Sequence, residues 1–204
     1  SERALRHLER TIQAEGSDSV AAILLETIPG TAGVLVPPPG YLAGVREIAD
    51  RYGIVFILDE VMAGFARAGE WFAFDAFDVT PDLITFAKGV NSGYVPLGGV
   101  ILNEAISSTF DDRVYPGGLT YSGHPLACAA AIATIDFMTE HKVVEHAYDL
   151  GERVMDQATV EAAAYLGAKA ARDAKLTETE DFKRKLAYQT DRLLFDDYLA
   201  SQAK

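Results

Sequence analysis

Residues 54–59 read IVFILD, five apolar side chains followed by an aspartate. Two further runs have the same form, AAILLE at residues 21–26 and LITFAK at residues 83–88. A continuous apolar run of this length is typical of a strand buried in a parallel sheet. The gaps from Glu26 to Asp59 and from Asp59 to Lys88 are 33 and 29 residues, which suit a strand, a crossover and the next strand. Because ligands bind beyond the carboxyl ends of such strands, we expect Glu26, Asp59 and Lys88 to share one site.

The rest of the pattern alternates helices with strands. Apolar side chains at helical spacing predict helices over residues 2–15, 42–52 and 125–138. Residues 95–102 predict a further strand, whereas residues 27–40, with three consecutive prolines, predict a surface loop. This order predicts an α/β fold, with a mostly parallel sheet and helices on both faces. The third helix is almost entirely small or apolar, which predicts burial on most sides, against the sheet or a partner subunit.

Composition argues against several classes of function. Of the 204 residues, 49% are hydrophobic and 24% are charged, as in an ordinary soluble globular protein. The net charge of −12 argues against a nucleic-acid surface, since neutralising phosphates needs clustered lysine and arginine. No stretch reaches the roughly 18 apolar residues of a membrane span, and the histidines have no metal-ligand spacing. The single cysteine, Cys128, allows no internal disulfide and favours a reducing, cytoplasmic compartment.

Several motifs stand in an order that points to a family. They are LDEVMAGFARAG at residues 58–69, FAKG at 86–89 and TYSGHP at 120–125, with GYL at 40–42, WFA at 71–73, PDL at 81–83 and SGYVPLGG at 92–99. Together they resemble the class III aminotransferases, pyridoxal-phosphate enzymes of fold type I. The likeness runs from about Val20 to about Met155. It implies a transaminase, which transfers an amino group between an amine donor and a 2-oxo acid through a Schiff base.

Within the family, the chain is more similar to the ω-amino acid:pyruvate type. Residues 30–33 read GTAG, where ornithine and γ-aminobutyrate members carry an acidic residue in the same loop.

The resemblance also assigns roles to five residues. It implies that Lys88 forms the Schiff base with pyridoxal phosphate and, once a substrate amine displaces it, moves a proton to and from the substrate. Such a lysine must be able to lose its proton, so we expect it to be buried beside the cofactor. Asp59 would keep the pyridine nitrogen protonated, so that the ring withdraws electrons. Val61 matches the apolar residue against the ring face, and Glu26 matches an acidic position beside the cofactor. Thr120 matches a threonine that reaches the cofactor phosphate of the partner subunit in a homodimer.

Parts of the family pattern are missing from the sequence. They are the turn that cradles the phosphate, the aromatic residue that stacks on the ring, and the small domain with its substrate-carboxylate arginine. We therefore expect residues 1–155 to be a partial large domain, a fragment with weak or no transaminase activity of its own. Residues 156–204 do not match the family pattern and are predicted to form a helical tail of separate origin. This tail is weakly similar to helical segments of parvulin-type prolyl isomerases.

Two other interpretations stay open at the level of sequence, and a third is disfavoured. A glutamate-1-semialdehyde aminomutase shares the fold and the lysine, so an intramolecular amine transfer is one alternative. A non-enzymatic helical protein of chaperone-like or binding function, in which residues 156–204 do the work, is another. An apolar strand that ends in Asp-Glu also matches an ATPase pattern, but the sequence lacks the Gly-x-x-x-x-Gly-Lys-Ser/Thr phosphate loop.

Overall fold

The structure, a computed structural model, describes residues 1–175 and 178–202, and four strands within these residues form one sheet. The strands are β1 (Ala22–Glu26), β2 (Val55–Asp59), β3 (Leu83–Phe86) and β4 (Gly99–Leu102). They pair in the order β1-β2-β3-β4, with the first three parallel and β4 antiparallel to β3. The predicted α/β fold with a mostly parallel sheet is confirmed.

The fourth strand is shorter than the sequence predicts. Apolar residues from Val95 onward predict a strand over residues 95–102, whereas β4 begins at Gly99. Pro96 has no amide hydrogen for a strand ladder. At Gly98 a side chain would meet the carbonyl oxygen of Phe86 at 3.2 Å, so the two backbones approach closely just before pairing begins.

Within residues 1–175 and 178–202 there are six α-helices, and the ends of the three predicted over residues 2–15, 42–52 and 125–138 match within two residues. The helices are α1 (Glu2–Glu15), α2 (Tyr41–Tyr52), α3 (Glu104–Ser107), α4 (Pro125–Glu140), α5 (Val143–Asp173) and α6 (Glu180–Gln202). Short 3-10 helices span Ser17–Ser19, Ala73–Phe77, Lys88–Asn91 and Ser108–Phe110. Along residues 1–175 and 178–202, no helix combines the length and the apolar character that crossing a membrane requires.

One face of the sheet is covered by α1 and α2. Phe56 and Leu58 of β2 are fully buried, and so is Val45 of α2. Ile12 of α1 and Ile23 of β1 belong to the same apolar cluster. Burying such a side chain fully contributes about 1.5–3 kcal/mol. This cluster therefore fixes both helices to the sheet.

The opposite face of the sheet is only partly covered. Successive residues of a strand point to opposite faces, so Leu24 and Val100 lie on the face away from Phe56. Leu24 is 59% exposed and Val100 is 53% exposed. Parallel strands are usually buried on both faces, so this open apolar surface is unusual for the fold class.

Helix α4 is buried along one stripe. Its buried residues are Ala127, Ala131 and Met138, whereas Leu126, Ile132 and Phe137 are exposed. The helix contacts the 3-10 helix Lys88–Asn91. Within this chain, then, α4 is not buried on most sides, because its cover comes from one side only. The predicted burial against a partner subunit stays a prediction.

The contacts of the chain divide it into two compact units, Ser1–Gly151 and Glu152–Lys204. The described part of the second unit is helical. In α6, ion pairs within one turn join Glu180 to Lys183 and Asp181 to Arg184, as is typical of an exposed helix. The predicted boundary between residues 155 and 156 stays a prediction.

We expect replacement of Gly53, which ends α2, to destabilise the protein. Gly53 has a φ of 64° and a ψ of 32°, a left-handed conformation that side chains disfavour. Gly53→Ala should lower the free energy of unfolding by about 1 kcal/mol. Gly53→Asn should cost less, because asparagine tolerates this conformation. Urea unfolding followed by circular dichroism measures both variants, and equal losses would contradict the conformational explanation.

Candidate active site

The carboxyl ends of the parallel strands bring three polar side chains into register. Glu26 of β1 aligns with Asp59 of β2, and Asp59 aligns with Thr85 of β3. Aligned residues of parallel neighbours point to the same face, so all three lie on the partly covered face. Lys88 follows Thr85 by three residues. The structure thus places Glu26 and Asp59 side by side at one edge, and Lys88 a short segment beyond it.

The carboxylate of Asp59 is half-buried and is oriented by its own turn. The Val61 N–H donates to Asp59 Oδ1 at 2.9 Å. The Asp59 carbonyl oxygen accepts a hydrogen bond from the Thr27 N–H at 3.3 Å, and the N–H of the next residue donates to the Thr85 carbonyl at 2.9 Å. Both neighbouring strands therefore hold the backbone from which this carboxylate projects. Val61, the predicted ring-packing residue, is half-buried in the same turn.

Lys88 begins its 3-10 helix in an uncommon backbone conformation. Its φ is 45°, in the left-handed region that residues other than glycine seldom adopt. Such strain is concentrated at functional sites. The side chain is exposed, so the predicted burial of this amine is wrong for the chain by itself. The buried positions of this helix belong to Val90 and Asn91 instead.

Two separate cavities flank the strand ends. Lys88 lines one of about 560 Å³, together with Phe65, Arg67, Ser92, Thr134 and Phe137. Glu26 lines another of about 340 Å³, which is bounded by apolar residues that include Leu25, Leu35, Tyr41 and Leu42. The Gly30 N–H donates to Glu26 Oε2 at 3.1 Å and ties this carboxylate to the loop after β1. Asp59 lines neither cavity, so the structure does not join Glu26, Asp59 and Lys88 in one enclosed space.

Thr120 lies in an exposed segment of turns before α4. In this segment the Ser122 N–H donates to the Leu119 carbonyl at 3.0 Å. Within the described residues, no hydrogen bond links Thr120 to Asp59 or Lys88. Thr120 is therefore the predicted site residue that this chain does not connect to the strand ends.

Glu60 is a fully buried acid that the sequence pattern did not single out. Its Oε1 accepts hydrogen bonds from the Thr27 hydroxyl at 2.6 Å and from the Phe74 N–H at 3.0 Å. Its Oε2 accepts one from the Ala73 N–H at 2.9 Å. Burial raises the pKa of Glu60 above its ordinary value of 4.5, and the three hydrogen bonds oppose that rise. The Asp-Glu pair was the available signal, but backbone donors such as Ala73 and Phe74 leave no mark in a sequence.

Two buried polar atoms near the strand ends have no hydrogen-bond partner among the described residues. They are Oγ1 of Thr85 and Nδ2 of Asn91, and Asn91 as a whole is only 2% exposed. Buried polar atoms in proteins are nearly always satisfied. These two atoms therefore suit a site that takes up a polar ligand.

Comparison with protein families identifies the family to which the chain belongs. Residues 1–174 match the family model described as aminotransferase class-III. The chain belongs to this family. The match extends beyond residue 155, where the sequence predicts the likeness to end.

Similar proteins with curated descriptions include an aminotransferase and a transaminase. The chain is 43% identical over 143 residues to the putrescine–pyruvate aminotransferase of Pseudomonas aeruginosa, covering 70% of this chain and 31% of that protein. It is 37% identical over 161 residues to gamma aminobutyrate transaminase 2 of Solanum lycopersicum, covering 76% and 35%. The chain thus spans about a third of the length of these relatives.

Solved structures give the same likeness. The taurine:2-oxoglutarate aminotransferase of Bifidobacterium kashiwanohense, in complex with PLP and glutamate, matches with a TM-score of 0.74 and 52% identity, covering 78% of this chain and 36% of that one. The (S)-enantioselective omega-transaminase of Thermomicrobium roseum matches with a TM-score of 0.68 and 46% identity, covering 71% and 33%. The fold of this chain is therefore that of about a third of each of these transaminases.

The raised pKa of Glu60 predicts how stability changes with pH. A carboxyl group whose pKa is higher in the folded protein contributes stability that is complete below the unfolded value, here 4.5, and is lost as pH rises through the folded value. One such group changes the free energy of unfolding by at most about 1.4 kcal/mol per pH unit. Thr27→Val removes a hydrogen bond that lowers this pKa, so the pKa of Glu60 should rise further in the variant. The loss of folding stability should then continue to higher pH.

Urea unfolding measures this effect over a pH series that starts below 4.5. Thr27→Ser is the matched control, since it keeps the hydroxyl that donates to Glu60 and should follow the unmodified protein. Parallel pH profiles for Thr27→Val and Thr27→Ser would contradict the assignment of this pH dependence to Glu60.

Proposed function

We propose that this chain forms part of the large domain of a pyridoxal-phosphate-dependent aminotransferase, which transfers an amino group from an amine to a 2-oxo acid. The observation that supports this most is the strand register, which puts the Asp59 carboxylate at the ligand-binding edge of the sheet with Lys88 just beyond it. Membership of the class-III family supports the reaction type. The putrescine–pyruvate relative supports an ω-amine donor and a small 2-oxo acid acceptor.

The residues present suit pyridoxal phosphate. Asp59 offers a carboxylate whose direction is fixed by the Val61 N–H, and it would hold the proton on the ring nitrogen. Lys88 offers an accessible amine, and Val61 and Glu26 would lie beside the ring. The unpartnered Oγ1 of Thr85 supports a polar ligand at the same edge. When bound, pyridoxal phosphate supplies an electron sink that stabilises negative charge at the α-carbon of the substrate.

The chain's own residues would then divide the proton chemistry. The Lys88 amine would accept the proton from the α-carbon of the substrate and give it up again on the cofactor side, which is general acid and base work. Asp59 would hold the proton on the ring nitrogen throughout, because a neighbouring carboxylate favours the charged form of that nitrogen. Both roles are carried over from the family resemblance and are supported by the position of the two residues.

We further propose that the working enzyme is a homodimer. Exposed apolar residues of α4, among them Leu126, Ile132 and Phe137, supply a surface suited to a partner subunit. Thr120, exposed just before α4, would reach the partner's cofactor phosphate. We propose a cytoplasmic location, which the single cysteine supports because it needs no oxidising compartment. Because the family match runs to residue 174, only residues 175–204 of the predicted tail are proposed to lie outside the catalytic unit.

Attachment of the cofactor tests the proposal directly. Mixing the protein with pyridoxal phosphate and reducing with borohydride should fix one cofactor on Lys88, as located by peptide mass spectrometry. Lys88→Ala should abolish this product. Lys142→Ala is the matched control, because Lys142 is also a lysine with positive φ, 50°, and it should leave labelling intact. Even labelling of many lysines, or full labelling of Lys88→Ala, would refute the proposal.

Asp59→Asn should slow the chemistry more than it weakens cofactor binding. Asparagine keeps a hydrogen bond to the ring but does not hold the proton on its nitrogen, so proton removal from the substrate should slow by about 100-fold or more. Exchange of the substrate α-hydrogen in deuterium oxide, followed by NMR on cofactor-loaded protein, measures this rate. Asp78→Asn, an exposed acid outside the site, is the control. An unchanged exchange rate in Asp59→Asn would remove Asp59 from its proposed role.

A further inference from the structure

Asp59 and Glu60 are consecutive acids with opposite environments. Asp59 lies on the partly covered face with Glu26 and Thr85, and it is half-buried. Glu60 points the other way, toward the side of the sheet that α1 and α2 cover, and it is 0% exposed. The proposed chemistry uses the first acid and gives no role to the second.

The Glu60 carboxylate ties three separate parts of the chain together. It is carried on the residue after β2, and it accepts the Thr27 hydroxyl from the end of β1. It also accepts the N–H groups of Ala73 and Phe74, at the start of the 3-10 helix Ala73–Phe77. Both carboxylate oxygens are used, and all three partners are donors. The arrangement therefore suits the ionised acid, because each donor would oppose an added proton.

These hydrogen bonds of Glu60 also hold the turn that carries Asp59. Thr27 donates its hydroxyl to Glu60 and its N–H to the Asp59 carbonyl, so the same residue holds both members of the Asp-Glu pair. On the other side of that turn, the Val61 N–H holds Asp59 Oδ1. A shift of Glu60 would therefore move the backbone on which the direction of the Asp59 carboxylate depends.

Stability alone does not account for a buried carboxylate at this place. Taking a charged group out of water is costly, and a well-packed apolar residue of similar volume often serves the fold as well or better. What an apolar residue lacks is a directional attachment to three donors. The attachment therefore points to a need for exact geometry at residues 59–61.

We propose that Glu60, held by Thr27, is a positioning residue that fixes the direction of the Asp59 carboxylate toward the cofactor nitrogen. This inference rests on the proposed aminotransferase function. It assigns Glu60 no contact with substrate or cofactor.

Thr27→Val tests the proposal, because it removes the hydroxyl while keeping the size and branching of the side chain. Thr27→Ser is the matched control, since it restores the hydroxyl. The first measurement is amide hydrogen exchange without cofactor, comparing the Val61 N–H with the Phe56 N–H. The Phe56 N–H donates to Asp82 Oδ2 at 2.7 Å and reports general loosening of the same strand.

We expect Thr27→Val to speed exchange at Val61 by about tenfold relative to Phe56, as for loss of one charge-assisted hydrogen bond. We expect the dissociation constant for pyridoxal phosphate at Lys88 to rise by a similar factor, with a changed absorbance spectrum of the bound cofactor. Thr27→Ser should restore all three properties. Glu60→Gln should give a larger effect of the same kind, because an amide nitrogen would face one of the three donors.

The outcomes separate this inference from the proposed function. Equal acceleration at Val61 and Phe56 would mean that Glu60 serves stability only and would overturn the inference. Faster amide exchange at Val61 in Thr27→Val, with unchanged cofactor affinity and an unchanged absorbance spectrum, would also overturn the inference. If the unmodified protein forms no adduct with pyridoxal phosphate at Lys88, the proposed function fails. In that case, the change in amide exchange at Val61 in Thr27→Val still decides whether Glu60 holds the turn that carries Asp59.

Discussion

The parallel register of β1, β2 and β3 is the constraint on which the site depends. It aligns Glu26, Asp59 and Thr85 at one edge and on one face. A slip of one residue would turn Asp59 toward the helices and bring Glu60 to the open face, since side chains alternate along a strand. The buried Phe56 side chain prevents this slip, and the carboxylate of Asp82, the residue before β3, accepts the Phe56 N–H and holds the same strand.

The two faces of the sheet have different tasks. The face under α1 and α2 holds the apolar cluster that includes Val45, Phe56 and Leu58. The other face carries the polar strand ends and leaves Leu24 more than half exposed. Glu60 links the two faces of the sheet. Its hydrogen bonds lie on the covered side, and its backbone leads directly to Asp59, which lies on the other face.

Part of this arrangement is predictable from sequence, and part is not. Apolar runs that end on Glu26 and Asp59 predict both the strands and the edge at which they meet, because the apolar pattern and the chain direction are properties of the sequence itself. The partners of Glu60 are not predictable, since two of them are backbone N–H groups of a segment without regular pattern. The exposure of Lys88 was also missed, because burial depends on which surfaces pack over a residue after the strand has ended.

The exposure of Lys88 has a consequence for its proposed role as a base. A lysine that acts as a base must be shielded from water, since desolvation disfavours its charged form. The described chain does not provide the shielding, because Val90 and Asn91 occupy the buried positions of its 3-10 helix. The open face of the sheet and the exposed apolar residues of α4 lie uncovered in the same compact unit. Surfaces beyond this chain, packed on that face, would meet both needs, since the cover that buries the apolar side chains would also exclude water from the amine.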